Sequence, residues 1–84
     1  MDNQHKPQIR AFVQDALRNR GDNGEIADHE SLFISGRLDS PSMLMLVSHL
    51  EATFNIDFAV FDFDVSLIDS IDDIDALVRK RTPL

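Results

Sequence analysis

The hydroxyl of Ser40 is the side-chain group that the sequence best positions for chemistry. It lies between Asp39 and Pro41, and helices commonly begin with Asp or Ser at the cap and proline in the first turn. Because proline pushes the preceding residue toward extended geometry, we expect Ser40 to cap the helix rather than lie inside it. Its side chain would then be at the surface, at the positive end of the helix dipole, where an attached phosphate is tolerated. The same tripeptide also serves as a plain capping signal.

A catalytic role for Ser40 is disfavoured, because a serine nucleophile needs a general base, a residue that orients the base and an oxyanion hole. No candidate base lies near Ser40 in the sequence. A chain of 84 residues also leaves little room for the cleft that a substrate requires. We therefore expect no intrinsic enzymatic activity.

The acidic residues after position 60 imitate part of a calcium-binding loop, but two positions depart from it. Asp62, Asp64 and Asp73 occupy the first, third and twelfth positions of such a loop. The sixth position, which needs glycine for a sharp turn, is Leu67, and the twelfth is Asp where the loop uses Glu. The histidines are His5, His29 and His49. Their spacing places no two of them on one helical face as zinc ligands, so we expect no metal site.

The length and composition of the chain are those of one small globular domain. With 84 residues, 43% of them hydrophobic, it can form a modest core. It contains no cysteine, which excludes disulfides and thiolate zinc sites. No apolar run approaches the length of a membrane span, and the first residues do not resemble a signal peptide. We expect a single domain over residues 1–84, located in the cytoplasm and not inserted in a membrane.

Negative charge is concentrated in the second half of the chain. The formal net charge is −7, and residues 38–78 contain nine acidic side chains but no Lys or Arg. Such a surface repels nucleic-acid phosphates and attracts basic patches on proteins. We therefore expect protein partners and no nucleic acid, and we expect the chain to act as a monomer.

Apolar residues at three- and four-residue spacing predict two amphipathic helices, over residues 3–19 and 41–54. In the first helix the core-facing residues are Ile9, Phe12, Val13, Ala16 and Leu17. In the second helix they are Met43, Leu46, Val47, Leu50 and Phe54. The residues left on or near the outside of the second helix are Pro41, Leu44, Met45 and Ser48. Leu44 and Met45 would form an apolar partner-contact patch, unless Leu44 packs against the long loop or the third helical segment.

A long connection over residues 21–38 joins the two helices. It begins polar and glycine-containing and later carries four large apolar residues, Ile26, Leu32, Phe33 and Ile34. Connections of this length without regular structure are uncommon in compact domains and are often functional. We expect the apolar side chains to fix the loop on the core, and so to fix the position of Ser40.

The rest of the chain predicts one short helical segment and a third main helix. Residues 59–65 alternate apolar and acidic side chains, as strands do, but no second strand exists to pair with them. We therefore favour a short helical turn that packs Phe58 and Phe61. Asp69 and Ser70 cap a last helix to about residue 80. Its inward-facing residues are Ile71, Ile74, Leu77 and Val78. The predicted fold is all-α: three main helices and one short helix, with a long loop between helices one and two.

The motif around Ser40 resembles that of the acyl carrier protein family, whose members carry cargo in fatty acid, polyketide, peptide and D-alanine chemistry. The resemblance covers most of the chain, from the first helix through the last. Its specific residues are Leu32, Phe33, Gly36, Leu38, Asp39 and Ser40, followed by Leu46, Leu50 and Phe54. The Gly-x-Leu-Asp-Ser form is closest to D-alanyl and related free-standing aminoacyl carriers.

The resemblance implies that a phosphopantetheinyl transferase attaches a 4′-phosphopantetheine arm from coenzyme A to Ser40. The thiol of the arm would hold cargo as a thioester, loaded by an acyl- or aminoacyl-loading ligase and passed to an acyltransferase or synthase. The expected partner-binding residues are Asp39, Pro41, Leu44, Met45 and Ser48. Pro41 replaces the apolar residue usual in the family, and Met45 stands where the family is often acidic. Both departures favour dedicated partners with more apolar recognition than those of general fatty acid synthesis.

Two alternatives to an aminoacyl carrier stay open at this point. The cargo could be a fatty or specialised long-chain acyl group, since Phe58, Phe61 and Phe63 either line a space beside the second helix or belong to the core. The chain could instead be an interaction module that keeps the bundle without modification and binds a partner through Leu44 and Met45. We favour the modified carrier, because the whole motif and not only its serine is present.

Overall fold

The computed structural model describes residues 5–58 and 63–81, and the regular elements in these ranges are helical. Helix α1 spans His5–Asn19, α2 spans Ser40–Phe54 and α3 spans Ile71–Arg81, with a 3-10 turn at Val65–Ile68 before α3. No strand occurs in the described residues. The predicted all-α bundle, with a long loop between its first two main helices, is therefore confirmed. None of the described helices is both long and apolar enough to cross a membrane.

Helix α1 ends in a hydrogen-bonded turn that fixes the direction in which the chain leaves it. Gly21 has a φ of +85°, and its amide donates to the Arg18 carbonyl at 2.9 Å. The Asp22 amide donates to the Leu17 carbonyl, also at 2.9 Å. This pair of bonds is a Schellman motif, which favours glycine because other residues are strained in the left-handed conformation. Arg20, directly before the glycine, consequently has a fixed position at the end of α1.

The start of α2 differs from the prediction by one residue. Asp39, and not Ser40, is the cap: its backbone is extended (φ −108°, ψ −179°), and its carboxylate accepts a hydrogen bond from the Ser42 amide at 3.1 Å. Ser40 is the first helical residue, and Pro41 follows within the first turn. The capping bond of Asp39 outweighs the extended preference that Pro41 imposes on the residue before it.

Helix α3 begins and ends where its charges predict. Ser70 accepts a hydrogen bond from the Asp73 amide at 3.0 Å, and acidic side chains in the first turn and basic ones in the last suit the helix dipole. The four predicted inward residues are all buried. Of the short helical segment predicted over residues 59–65, positions 59–62, including Phe61, lie outside the described residues. The observed 3-10 turn begins at Val65 and is capped by Asp64.

The predicted apolar positions of α1 and α2 are buried or packed against the core. Those that are only partly buried are Phe12, Met43 and Val47. Between the two helices, the His49 ring stacks on Phe12 with centroids 4.3 Å apart, and His5 meets Phe54 edge to face at 5.0 Å. These two histidines are therefore half-buried packing residues.

The loop follows the prediction in part. Ile26 and Leu32 are buried, and Phe33 packs against the core. Ile34, however, is 68% exposed, so the expectation that it helps to fix the loop is wrong. Its amide donates to Asp69 in a turn closed by a 2.7 Å bond from the Leu38 amide to the Leu32 carbonyl. Backbone hydrogen bonds rather than the Ile34 side chain therefore hold this part of the loop.

Substituting Gly36 with Ala should lower the free energy of unfolding by about 1 kcal/mol. Gly36 has a φ of +85°, although an added Cβ would meet no atom within 4 Å, so the cost comes from backbone strain alone. Asn tolerates this conformation better than Ala, and Gly36→Asn should recover part of the loss. Urea unfolding of the three proteins measures the difference. Equal stability of Gly36→Ala and the parent protein would contradict the prediction.

Candidate functional site

The loop that leads to Ser40 is hydrogen-bonded to one buried residue, Asp69, two positions before the start of α3. Asp69 Oδ2 accepts a bond from the Ser31 hydroxyl at 2.6 Å. Asp69 Oδ1 accepts bonds from the amides of Phe33 at 2.7 Å and Ile34 at 2.9 Å. The backbone carbonyl of Asp69 accepts a fourth bond, from the Leu32 amide at 2.6 Å. Residues 31–34 are thus all hydrogen-bonded to Asp69, and these bonds fix the loop against the start of α3.

Asp69 is ionised in this arrangement. Burial raises the pKa of the Asp69 carboxyl, but the hydrogen bonds from Ser31, Ile34 and Phe33 favour the charged form and together lower the pKa below its ordinary value. Asp69 is only 9% exposed, so these donors replace the water that its carboxylate gave up on folding. The charge of Asp69 is therefore part of what orders the loop.

A second polar cluster, around Arg37, joins the two ends of the loop. Arg37 Nε lies 3.0 Å from Asp22 Oδ2, and Nη1 lies 2.6 Å from Glu30 Oε2. Nη2 donates to the Glu25 carbonyl at 3.0 Å. The hydrogen bonds from Arg37 and from the Gly24 amide lower the pKa of Asp22. With a side chain only 18% exposed, Arg37 serves to hold the loop.

Ser40 follows this hydrogen-bonded loop and presents an accessible hydroxyl on the first turn of α2. The residue is exposed, and its hydroxyl has no hydrogen-bond partner within the described parts of the chain. Next to it, the hydroxyl and amide of Ser42 donate to Asp39 and lower the pKa of that carboxyl, and the Arg20 charge lowers it further. The site is therefore a free alcohol beside an ionised cap, with a guanidinium close to the cap.

The predicted partner-binding residues lie along one face of α2. Leu44 is 69% exposed and Met45 53% exposed, and Pro41 and Ser48 are also exposed. Residues three and four apart are neighbours on a helix, so these positions continue in a stripe from Ser40. The alternative that Leu44 packs against the loop or another helix is wrong. The structure thus brings together the hydroxyl and the apolar side chains that the sequence singled out.

Three residues that shape the site were not predicted from the sequence to do so. In the sequence, Asp69 is recognisable only as a helix-capping residue, Arg37 only as an isolated positive charge within the motif, and Arg20 only as a cation suited to the end of α1. Their contacts join residues between 7 and 38 positions apart. A weak signal for Asp69 is its position before Ser70, since two adjacent capping residues exceed what one helix start needs.

A metal site finds no support in the residues that the structure describes. No group of three or more His, Asp or Glu side chains among residues 5–58 and 63–81 could hold an ion. His29 is exposed in the loop, and Asp62, the first position of the calcium-like pattern, lies outside the described residues.

Comparisons of the chain with protein-family models, with curated proteins and with solved structures each find no match. The resemblance of the Ser40 motif to carrier proteins therefore stays a prediction. A function for the chain has to come from its own geometry together with that motif.

Asp69→Asn should destabilise the protein by about 2 kcal/mol at neutral pH, because hydrogen bonds to a buried charge are stronger than neutral ones. The depressed pKa of Asp69 contributes stability above the pKa of the unfolded chain, about 4, which is lost as the pH falls through the folded value. The difference between the parent protein and Asp69→Asn should therefore shrink below pH ~4. Urea unfolding at a series of pH values measures it.

Asp73→Asn is the matched control, since it removes the same charge from an exposed position in the first turn of α3. It should cost less than about 1 kcal/mol, through the helix dipole alone. Equal effects of the two substitutions at neutral pH would contradict the special role of Asp69.

Proposed function

We propose that this protein is a carrier, modified on Ser40 with 4′-phosphopantetheine, that holds an acyl or aminoacyl group as a thioester and presents it to partner enzymes. The observation that carries the proposal is the Ser40 hydroxyl, exposed and without a partner among the described residues, at the start of a helix behind a firmly bonded loop. A carrier needs an accessible attachment point on a stable scaffold and no active site of its own. The chain is accordingly proposed not to be an enzyme.

The residues at Ser40 fit such an arm. In the attachment step, the Ser40 oxygen forms a bond to phosphorus as the pyrophosphate bond of coenzyme A breaks. Adenosine 3′,5′-bisphosphate leaves with the electron pair of that bond, and the hydroxyl proton passes to a base of the transferase or to water. The product is a phosphodiester, and an anion at the start of α2 is favoured by the helix dipole. The arm supplies a thiol, which this chain lacks because it contains no cysteine. The chain's own part is to expose the alcohol and to hold it in one place.

The stripe of Pro41, Leu44, Met45 and Ser48 beside Ser40 is the proposed contact surface for these partners. Exposed leucine and methionine side chains mark contact surfaces when they cluster, and methionine adapts to different partners. The net charge of −7 would speed the encounter with basic patches on proteins. The proposed partners are a phosphopantetheinyl transferase, a loading ligase and an acyltransferase or synthase. The proposed setting is a cytoplasmic monomer without a nucleic-acid partner.

The cargo is proposed to be an aminoacyl group, on the strength of the Gly-x-Leu-Asp-Ser form of the motif. Phe58 and Phe63 meet edge to face with centroids 5.5 Å apart. Phe63 is 40% exposed, whereas Phe58 packs against the core. This pair belongs partly to the core and partly to the surface, so it favours neither a short nor a long cargo.

Incubation with coenzyme A and a broad-specificity phosphopantetheinyl transferase should add the mass of one arm to the protein. Ser40→Ala should gain none. Ser66→Ala, which removes an exposed hydroxyl outside the proposed contact surface, should be modified like the parent protein. Intact-protein mass spectrometry measures all three. No gain in the parent protein, or a gain that persists in Ser40→Ala, would overturn the proposal.

A second candidate, an unmodified interaction module, is favoured by the exposure of Leu44 and Met45 alone. Met45→Glu separates the two functions. For a carrier, it should reduce the rate of transfer by the transferase while Ser40 can still be modified to completion, because only the docking surface has changed. For an interaction module, Met45→Glu would lose its affinity for a single partner, and neither the parent protein nor Met45→Glu would carry an arm. Time-resolved mass spectrometry with binding measurements distinguishes these results.

A further inference from the structure

Arg20 reaches from the end of α1 to the residue directly before Ser40. Its Nη1 donates to the Arg37 carbonyl, which fixes the guanidinium over the final turn of the loop. Its Nε lies 3.6 Å from Asp39 Oδ2, a distance longer than that of a hydrogen bond. The contact with Asp39 is therefore one between charges, which another anion at the same place could share or replace.

The backbone at the start of α2 has few donors left for a phosphate on Ser40. Proline has no amide hydrogen, so Pro41 offers none. The Ser42 amide is already bonded to the Asp39 carboxylate at 3.1 Å, and the Met43 amide to the Asp39 carbonyl at 3.0 Å. Helix starts usually bind anions through several free amides, and at this one a side chain has to provide the positive charge.

Among the described residues, Arg20 is the basic side chain seen in contact with the residue directly before Ser40. Arg37 is bonded to Asp22 and Glu30 through its guanidinium, and residues 38–78 contain no Lys or Arg. The remaining basic side chains of α1 pair elsewhere: Lys6 and Arg10 with Asp28, and Arg18 with Asp15. A phosphate on Ser40 would also add negative charge beside the ionised Asp39, which raises the need for a cation there.

We propose that Arg20 binds the phosphate of the group attached to Ser40 and offsets the negative charges of that phosphate and of Asp39, so that the protein orients the base of the arm. The inference rests on the proposed function, because it needs the phosphodiester. Arg20 is a positioning residue: it touches the arm and takes no part in forming it.

The experiment compares modified and unmodified forms of three proteins: the parent, Arg20→Gln and, as a matched control, Arg18→Gln. Arg18 is an exposed arginine two residues earlier that pairs with Asp15 at 3.0 Å. Mass spectrometry first establishes that each has gained one arm. Phosphorus NMR then reports the environment of the phosphodiester, and thermal unfolding reports how attachment changes stability.

In Arg20→Gln, the phosphorus resonance should move toward that of the urea-unfolded modified protein, and attachment should lower the melting temperature. In the parent protein and in Arg18→Gln, the resonance should be the same and attachment should raise the melting temperature or leave it unchanged. Added sodium chloride should move the parent resonance toward that of the urea-unfolded modified parent protein, since salt screens an exposed ion pair. This titration needs no variant, so it decides the matter even if Arg20→Gln does not fold.

The two proposals fail in different ways. If no protein gains an arm, the proposed function is wrong. If all gain one but the phosphorus resonance is the same in the parent protein and Arg20→Gln, or is insensitive to salt in the parent, the role of Arg20 is wrong and the carrier function stands.

Discussion

The carboxylate of Asp69 is the group on which the geometry of the site depends. It is buried and ionised, and it accepts hydrogen bonds from the Ser31 hydroxyl and from two backbone amides of the loop. The backbone carbonyl of Asp69 accepts a bond from a third amide. A buried carboxylate without such donors would be strongly destabilising. The loop and the start of α3 therefore order each other, and the long connection before Ser40 behaves as a fixed part of the bundle.

This constraint explains how a chain of 84 residues can present a hydroxyl in a defined place. The Leu38 amide bonds back to the Leu32 carbonyl, so the chain turns within the bonded region and enters α2 two residues later. Asp39 then ends the loop and begins the helix with one side chain. The proposed attachment of a large group to Ser40 requires both a fixed backbone before this residue and a hydroxyl that is accessible to an enzyme.

The helices and their buried faces could be predicted because each depends on local spacing, as the inward residues of α3 show. The cap of α2 lies one residue earlier than the sequence predicts. Asp39, Ser40 and Pro41 each favour a helix start, and which of them caps the helix depends on which side chain reaches a free amide. Ile34 was misplaced because a large apolar residue predicts burial, whereas backbone bonds to Asp69 decide its position. The contacts of Asp69, Arg37 and Arg20 join distant residues, and no local pattern encodes them.

Ser40 is proposed to carry a phosphopantetheine arm in the cells that produce this protein. The most direct test is the intact mass of the protein purified without added transferase from its native host, followed by fragmentation of the peptide that contains Ser40. We predict a mass greater than that of the bare chain by the mass of the arm, alone or with its cargo, and a fragment series that places the addition on Ser40. Only the bare mass, or an addition located on another residue, would contradict it.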